Sequence, residues 1–178
     1  MYYKKFSSDD PMIKLTVLGD GQVGKTSLCS NMSEGIFPES YNMTIGVDIH
    51  TAERKIGNKK ARLVLWDMAG QEQFDCVRPS FYYGSHVALI VFSVDNRGSF
   101  YDVSNWVREL RIHCPNAPFV LVGNKCDLNR EVSVEEAKEL AKKWNAPYIE
   151  TSASNGQNID DAFVMAATLA LSGTAVAY

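Results

Sequence analysis

The sequence predicts an α/β protein with a doubly wound, mostly parallel sheet of six strands flanked by about five helices. Three observations lead to this class. Strand-like and helix-like segments alternate from residue 12 onward, a glycine-rich turn joins the first strand to the first helix, and two later strands are almost wholly apolar. A chain of 178 residues, 46% of them hydrophobic, is the size of one domain with one core.

The first half of the chain predicts a strand, a helix and a hairpin. Alternating apolar residues at 13–17 form a strand that ends at Gly19, and residues 25–32 are helix-like. Two further β-like runs, 47–56 and 61–66, are separated by a glycine, an asparagine and lysines. A short polar turn of this kind joins antiparallel strands, so we expect one antiparallel pair.

The second half supplies the centre of the sheet and its crossover helices. The apolar runs 87–94 and 119–122 are typical of strands buried on both faces of a parallel sheet. Between them, residues 99–112 carry apolar side chains at helical spacing, and Ser133 with Glu136 predicts a capping box that opens a later helix. A short strand and a closing helix complete the alternation, at residues 148–149 and 160–171.

Composition excludes several classes of protein. Eighteen Lys and Arg against twenty-one Asp and Glu give a net charge of -3, which argues against affinity built on many nucleic-acid phosphates. The four cysteines are scattered without a CxxC pair and the three histidines do not join them at metal-ligand spacing. Residues 1–11 contain no apolar run of the kind that a signal peptide needs, and the longest apolar stretch near the carboxyl end, 162–171, is well short of a bilayer span. We therefore expect a cytoplasmic protein with reduced thiols and no nucleic-acid partner.

Residues 19–26, GDGQVGKT, match the phosphate-binding pattern G-x-x-x-x-G-K-[ST] between a strand and a helix. Loop N–H groups and the helix amino end would surround a β-phosphate, Lys25 would bridge the β- and γ-phosphates, and Thr26 would ligate magnesium. The alternative is a chance glycine-rich turn. The predicted nucleotide-binding residues of this segment are Gly21, Gln22, Val23, Gly24, Lys25, Thr26 and Ser27.

Asp67 to Gly70 form a D-x-x-G motif where the third strand ends. A carboxylate at the carboxyl end of a strand beside the phosphate loop can hold magnesium through water, and the Gly70 amide can face a γ-phosphate. Gln71 follows directly and can orient the attacking water; its alternative is a solvated loop glutamine. Gln71 and Lys25 are the predicted catalytic residues.

A third motif, Asn124, Lys125 and Asp127, follows the buried strand ending at residue 123. Asp127 can accept hydrogen bonds from N1–H and the exocyclic amine of guanine, an arrangement that adenine cannot satisfy. Alone, the motif is also compatible with a polar turn. Backbone amides after residue 151 would complete the base pocket, at Ser152, Ala153 and Ser154.

These ordered motifs resemble the Ras superfamily of small GTPases over residues 14–171. Residues 44–48 (TIGVD), 66–72 (WDMAGQE) and 81–84 (FYYG) are similar to the Rab branch, whereas the loop beginning GDG and the run HCPN are similar to the Rho branch. The resemblance implies a P-loop NTPase G domain at residues 12–172. Residues 1–11 would be an amino-terminal extension, and residues 173–178 the carboxyl end, truncated or complete.

The resemblance also implies ligands and partners. The cofactors would be GTP or GDP and Mg²⁺, with Phe37 edgewise against guanine, Tyr41 over the phosphates, and Thr44 as a second magnesium ligand besides Thr26 and Asp67. Effectors, exchange factors and GTPase-activating proteins would bind a monomer through its two switch regions. Ile49, Trp66 and Phe81 match a Rab effector triad, or else they are ordinary core packing.

Departures from the family pattern leave other readings open. Gln22 replaces a small residue, Met68 a threonine, and Ser154 a lysine that packs on guanine. No cysteine follows Cys126, so this chain does not support prenyl anchoring to a membrane, and an endomembrane location would need a partner or a missing segment. The leading function is a slow GTPase switch in vesicle trafficking or related signalling. The alternative is a non-catalytic interaction module or scaffold with the same fold.

Overall fold

A six-stranded sheet in the order β2-β3-β1-β4-β5-β6 organises the computed structural model, which describes residues 10–35, 37, 44–74 and 76–173. All neighbouring strands are parallel except the pair β2 and β3, which confirms the predicted fold class. The strands are β1 (Met12–Leu18), β2 (Val47–Ile56), β3 (Lys59–Met68), β4 (Val87–Ser93), β5 (Phe119–Asn124) and β6 (Tyr148–Glu150).

Helices cover both faces of this sheet. One face packs against α1 and α6 around Leu15, Leu63 and Phe163, and the other against α4 and α5 around Phe92 and Leu110. Every residue of β4 and β5 is buried, as their apolar sequences predict. The helices are α1 (Lys25–Glu34), α2 (Pro79–Tyr82), α3 (Arg97–Tyr101), α4 (Val103–His113), α5 (Val134–Lys143) and α6 (Ile159–Gly173).

The antiparallel hairpin is longer than the sequence predicts. Its turn is at Gly57, whose φ of 59° is left-handed, and the ladder runs from Ile56 opposite Lys59 to Val47 opposite Met68. Polar residues at both ends of β3 hid this length, because they lack the apolar alternation of 61–66. The extra pairs bring Asp67 into the last part of the strand.

The helix predicted at 99–112 begins earlier and is interrupted. Asn96 caps α3, where its side chain accepts a hydrogen bond from the Ser99 amide at 3.1 Å, so the helix starts at Arg97. α3 ends at Tyr101 and α4 begins at Val103, although φ and ψ of Asp102, −77° and −10°, stay in the right-handed region. We therefore count α3 and α4 as one crossover unit, so that about five helices flank the sheet.

The capping box of α5 is confirmed by reciprocal hydrogen bonds. The Ser133 amide donates to Glu136 Oε2 at 2.9 Å, and the Glu136 amide donates to Ser133 Oγ at 3.2 Å. A 3-10 turn at Glu72–Phe74 and the four-residue α2 were not predicted, because segments this short carry no helical periodicity. Within the described ranges, no helix has both the length and the apolar character needed to span a membrane.

Candidate nucleotide and magnesium site

A cleft of about 690 Å³ opens where β1, β3 and β5 end. Most of the predicted site residues line this cleft. Three others do not line it and are buried, namely Val23, Asp67 and Ser152. Tyr41 and the rest of 38–43 lie outside the described residues. The predicted residues lining the cleft are Gly21, Gln22, Gly24, Lys25, Thr26, Ser27, Phe37, Thr44, Gly70, Gln71, Asn124, Lys125, Asp127, Ala153 and Ser154.

Two glycines of the site, Gly24 and Gly70, lie where neighbouring atoms leave no room for a side chain. Gly24 has a φ of 96°, and a Cβ added there would be 2.3 Å from Asn124 Nδ2. A Cβ on Gly70 would be 2.2 Å from the Gly19 carbonyl oxygen. Side chains at these two positions would therefore push apart the phosphate loop and the segments that close over it.

Lys25 places a buried cation under the phosphate loop. The residue is 6% exposed, and its Nζ donates hydrogen bonds to the Gly19 carbonyl at 2.8 Å and the Asp20 carbonyl at 2.7 Å. Burial lowers the pKa of Lys25 to about 8, against the attraction of Asp67 and Asp20. A bound phosphate would supply the negative charge that this environment lacks.

Three oxygen-bearing side chains meet at the predicted magnesium site. Asp67 Oδ2 accepts from Thr26 Oγ1 at 2.5 Å and from Thr44 Oγ1 at 3.3 Å, and the two hydroxyl oxygens are 2.9 Å apart. Burial raises the pKa of Asp67, whose Oδ1 is buried without a hydrogen-bond partner in the described chain. One carboxylate and two hydroxyls suit a hard cation such as Mg²⁺, so these residues fit the predicted metal.

The predicted magnesium site contains a single carboxylate and not a cluster of acidic and histidine side chains. Across residues 10–35, 37, 44–74 and 76–173, no group of three or more His, Cys, Asp or Glu side chains could hold a metal ion. A magnesium ion that shares its coordination between one carboxylate, hydroxyls and phosphates does not need such a group.

Gln71 lies against the phosphate loop. A Cβ added to Gly21 would be 3.4 Å from Gln71 Nε2, which places this amide next to the entrance of the loop. Gln71 Oε1 is buried and finds no hydrogen-bond donor among the residues described. An unpartnered amide oxygen keeps a free acceptor, and a change of rotamer would present it to a water molecule beside a γ-phosphate.

Asn124 joins loops of the site to each other. Its Nδ2 donates to the Val23 carbonyl at 2.8 Å, and its Oδ1 accepts from Thr151 Oγ1 at 3.0 Å. The residue is almost completely buried. In this structure Asn124 holds the phosphate loop against the base-binding loops, a bracing contact that the sequence motif does not reveal.

Serine hydroxyls surround the predicted base-reading carboxylate. Ser154 Oγ donates to Asp127 Oδ2 at 2.9 Å and lies 2.9 Å from Ser152 Oγ. Hydrogen bonding from Ser152 foremost, and also from Ser154, lowers the pKa of the exposed Asp127. Sequence comparison with the family marks Ser154 only as the loss of a lysine stem, whereas the structure gives it a hydrogen bond of its own.

The base end has one further lining residue that sequence reasoning missed. Leu128 directly follows the motif and is half exposed at the cleft. Its apolar side chain offers a surface for a flat base together with Phe37 and the stem of Lys125. A single leucine in a polar loop carries no pattern that would have identified it.

One member of the predicted effector triad, Ile49, does not pack in the core. Ile49 is 50% exposed, and the rings of Trp66 and Phe81 are partly buried with centroids 6.2 Å apart. Lys14 Nζ lies 3.7 Å from the centroid of the Trp66 ring. The core-packing alternative is therefore wrong for Ile49, and the effector role of the triad stays a prediction.

Arg78 is a second residue that the sequence did not single out. It is 5% exposed and pairs with Glu109 at 2.8 Å, and it donates to the Ala69 carbonyl at 3.1 Å. An isolated arginine between two motifs has no periodic signal, so only the tertiary structure shows that it supports the D-x-x-G segment.

Known proteins with similar sequences identify the family. The family model "Ras family" matches residues 14–172. Similar curated proteins include Ras-related protein RABA5b of Arabidopsis thaliana, 40% identical over 158 residues, with 87% of this chain and 73% of the relative covered. Ras-related protein Rab-31 of Homo sapiens is 40% identical over 154 residues, covering 85% and 79%. Ras-related protein Rab-1C of Dictyostelium discoideum is 38% identical over 162 residues, covering 89% and 81%. Because the match extends over most of the chain and includes the whole cleft, this protein belongs to the Ras family and is a Rab-like small GTPase.

Proposed function

We propose that this chain is a molecular switch that binds GTP or GDP with magnesium in the described cleft and slowly hydrolyses GTP to GDP and phosphate. The observation that carries this proposal is the meeting of Thr26, Thr44 and Asp67. These residues come from the phosphate loop, the first switch and the end of β3. A ligand at their shared oxygens therefore links the position of the first switch to what the cleft holds.

Hydrolysis would depend on electrostatic stabilisation and positioning of a water. Lys25 would stabilise charge on the β- and γ-phosphate oxygens, and the Gly70 amide would face the γ-phosphate. Gln71, with its unpartnered buried Oε1, would orient the attacking water. Bound magnesium would neutralise phosphate charge. With no arginine in the first switch, residues 38–44, a stimulating arginine would come from a partner.

Base selection would rest on Asp127. Its lowered pKa keeps the carboxylate ionised, so it accepts two hydrogen bonds from guanine but offers adenine no donor. Phe37, Leu128 and Ala153 line the same end of the cleft and would contact the faces or edges of the base.

Exposed apolar residues in and next to the two switch regions support protein partners. Ile45, Ile49 and Val77 are all exposed on segments that adjoin the cleft. Effectors, exchange factors and GTPase-activating proteins are the partner classes that the family implies, with vesicle trafficking as the setting and an endomembrane as the place. A non-catalytic module is the weaker alternative, because Lys25, Asp67 and Gln71 are all present and positioned.

The test begins with the nucleotide released when the purified protein is denatured. We expect GDP or GTP, and release of adenine nucleotides or of none would contradict the proposed ligand. Single-turnover hydrolysis should proceed at about 10⁻⁴ to 10⁻² per second. Gln71→Leu should slow hydrolysis at least tenfold, on the order of one lost hydrogen bond to the attacking water, while GTP binding is retained. The control is Gln157→Leu, at an exposed glutamine whose side chain does not line the cleft.

A further inference from the structure

Gly70 begins the second switch, residues 70–83, and lies where this segment meets the phosphate loop. A Cβ at this position would be 2.2 Å from the Gly19 carbonyl oxygen and 2.5 Å from the Asp20 carbonyl carbon. Two backbone segments in such close contact fix the direction of the Gly70 amide. A small displacement of either segment would change where that amide points.

Trp106 holds the phosphate-loop side of this contact. Its indole Nε1 donates a hydrogen bond to Asp20 Oδ1 at 2.6 Å, and the residue is 7% exposed. Burial raises the pKa of Asp20, and Asp102 nearby adds to this, whereas the indole N–H lowers it. Since indole nitrogen is only a donor, Trp106 favours the ionised carboxylate and keeps Asp20 in one orientation.

The same indole ring also contacts Arg78, which holds the second-switch side of the contact at Gly70. The guanidinium carbon of Arg78 lies 4.6 Å from the centroid of the Trp106 ring. Arg78 NH1 donates to the carbonyls of Ala69 at 3.1 Å and Gln71 at 3.5 Å, the two neighbours of Gly70. One side chain of α4 is thus connected to both segments that meet at Gly70.

Glu109 completes the arrangement from the same helix. It lies three residues after Trp106, on the same face of α4, and accepts hydrogen bonds from Arg78 Nε at 2.8 Å and NH2 at 3.4 Å. The guanidinium is therefore held from one side by a carboxylate and from its face by an indole. This fixes Arg78 over the D-x-x-G segment.

We propose that Trp106 is a positioning residue for GTP hydrolysis, holding the phosphate loop through Asp20 while its ring supports Arg78 against the second switch. The inference rests on the proposed function and adds a residue outside the nucleotide cleft to it. Trp106 acts through Asp20 and Arg78, and it sets the relative position of Gly70, Gln71 and the loop.

The test separates hydrolysis from nucleotide binding. Trp106→Phe keeps an aromatic ring for Arg78 but removes the N–H donor together with part of the indole, so single-turnover hydrolysis should fall about tenfold while GDP dissociation changes less than about threefold. Trp106→Leu removes the ring as well and should slow hydrolysis further. Trp144→Phe is the matched control, because the Trp144 N–H has no hydrogen-bond partner within the described residues. It should hydrolyse GTP at the wild-type rate.

Variants of Asp20 keep the proposal testable even if Trp106→Phe fails to fold. Asp20→Asn retains an acceptor oxygen and should hydrolyse GTP within about threefold of wild type, whereas Asp20→Ala should match Trp106→Phe. The double variant Trp106→Phe/Asp20→Ala should be no slower than either single variant, because each single change already removes the same hydrogen bond between Trp106 and Asp20. Additive effects, or equal rates for Asp20→Asn and Asp20→Ala, would overturn the proposal.

Wild-type behaviour distinguishes failure of this inference from failure of the proposed function. A wild-type protein that binds no guanine nucleotide or does not hydrolyse GTP contradicts the function itself. A wild-type protein that hydrolyses GTP, together with an unimpaired Trp106→Phe, contradicts only the positioning role. Parallel slowing of hydrolysis and acceleration of GDP release in Trp106→Phe would show general loosening of the cleft and would also overturn it.

Discussion

The phosphate end and the base end of the cleft use aspartate in opposite ways. Asp67 is completely buried, and burial raises its pKa; Asp127 is exposed, and serine hydrogen bonds lower its pKa. Asp67 lies at the end of β3 and Asp127 just after β5, at the same edge of one sheet, so their difference comes from their surroundings. The surroundings of Asp67 favour binding of a cation, whereas those of Asp127 favour accepting hydrogen bonds.

This difference indicates what each end contributes to binding. At the phosphate end, a desolvated carboxylate and a desolvated ammonium gain strongly when phosphate and magnesium arrive. At the base end, water competes with the base for an exposed carboxylate, so the main effect is discrimination between bases. Substitutions at the two ends should therefore change different measured quantities.

The largest effect is expected from changing the hydrogen-bond pattern at the base end. Asp127→Asn replaces an acceptor oxygen by an amide donor, which should favour xanthine, with its additional carbonyl, over guanine. The ratio of GTP to XTP affinity should fall on the order of a hundredfold. This is less than the discrimination that a fully buried polar site achieves, because Asp127 is exposed. Competition binding measures the ratio. Asp161→Asn, at an exposed position of α6, is the control, and an unchanged ratio in Asp127→Asn would remove Asp127 from base recognition.

At the phosphate end the measured quantity is the preference for GTP over GDP. Thr26→Asn removes the hydroxyl that contacts both Asp67 and Thr44, so magnesium should bind more weakly and Thr44 should lose part of its connection to the site. We expect GTP affinity to fall about tenfold more than GDP affinity. Titrations at several magnesium concentrations test this, with Thr168→Asn on the exposed side of α6 for comparison. Equal losses for the two nucleotides would contradict a link between metal and first switch.

A smaller effect is expected from the serine beside Asp127. Ser154→Ala removes one donor to the carboxylate, and GDP should dissociate about two- to fivefold faster because the carboxylate is less well oriented. Ser154→Lys adds a long stem that can cover the base and should slow dissociation. The matched control is Ser172→Ala, whose hydroxyl bonds only within α6 at Thr168. If Ser154→Ala released GDP no faster than this control, the Ser154 hydroxyl would have no role in retaining the nucleotide.

How much the sequence predicts also differs between local and distant features. The loop at 19–26, Asp67, Gln71 and Asp127 were predicted because each motif is continuous and follows a strand, so the fold alone brings them to one edge of the sheet. Such residues need only the correct order of elements.

The supporting contacts could not be predicted in this way. Trp106 and Asp20 are 86 residues apart, and the amide of Asn124 reaches Val23 across 101 residues. Trp106 also fits the apolar spacing of its helix, so its N–H donor role is hidden by its packing role. Which polar groups meet across the sheet depends on helix position to within a few ångströms, and periodicity does not contain that information.

The two ends are alike in one respect, since each has a non-glycine residue with left-handed backbone. Gln22 has a φ of 66° in the phosphate loop, and Lys125 has a φ of 61° in the base motif. This region costs residues other than glycine about 1–2 kcal/mol. Strain of this kind is commonly retained beside ligands, where the surrounding structure fixes the chain.

The smallest expected effect tests this strain at Gln22. Gln22→Gly should raise the free energy of unfolding by about 0.5–1 kcal/mol, because relief of the left-handed backbone exceeds the entropy that glycine adds to the unfolded chain. Thermal unfolding with saturating GDP should then show a rise in Tm of about 2 °C. Gln157→Gly, at an exposed loop position outside the left-handed region, should instead lower the Tm. Intrinsic hydrolysis should stay within about twofold of wild type. The Gln22 side chain is exposed and takes no part in the contact between Gln71 and Gly21, so its loss should have little effect on the rate. A fall in Tm equal to that of Gln157→Gly would mean that the Gln22 side chain stabilises the loop, and faster hydrolysis would mean that it crowds the γ-phosphate.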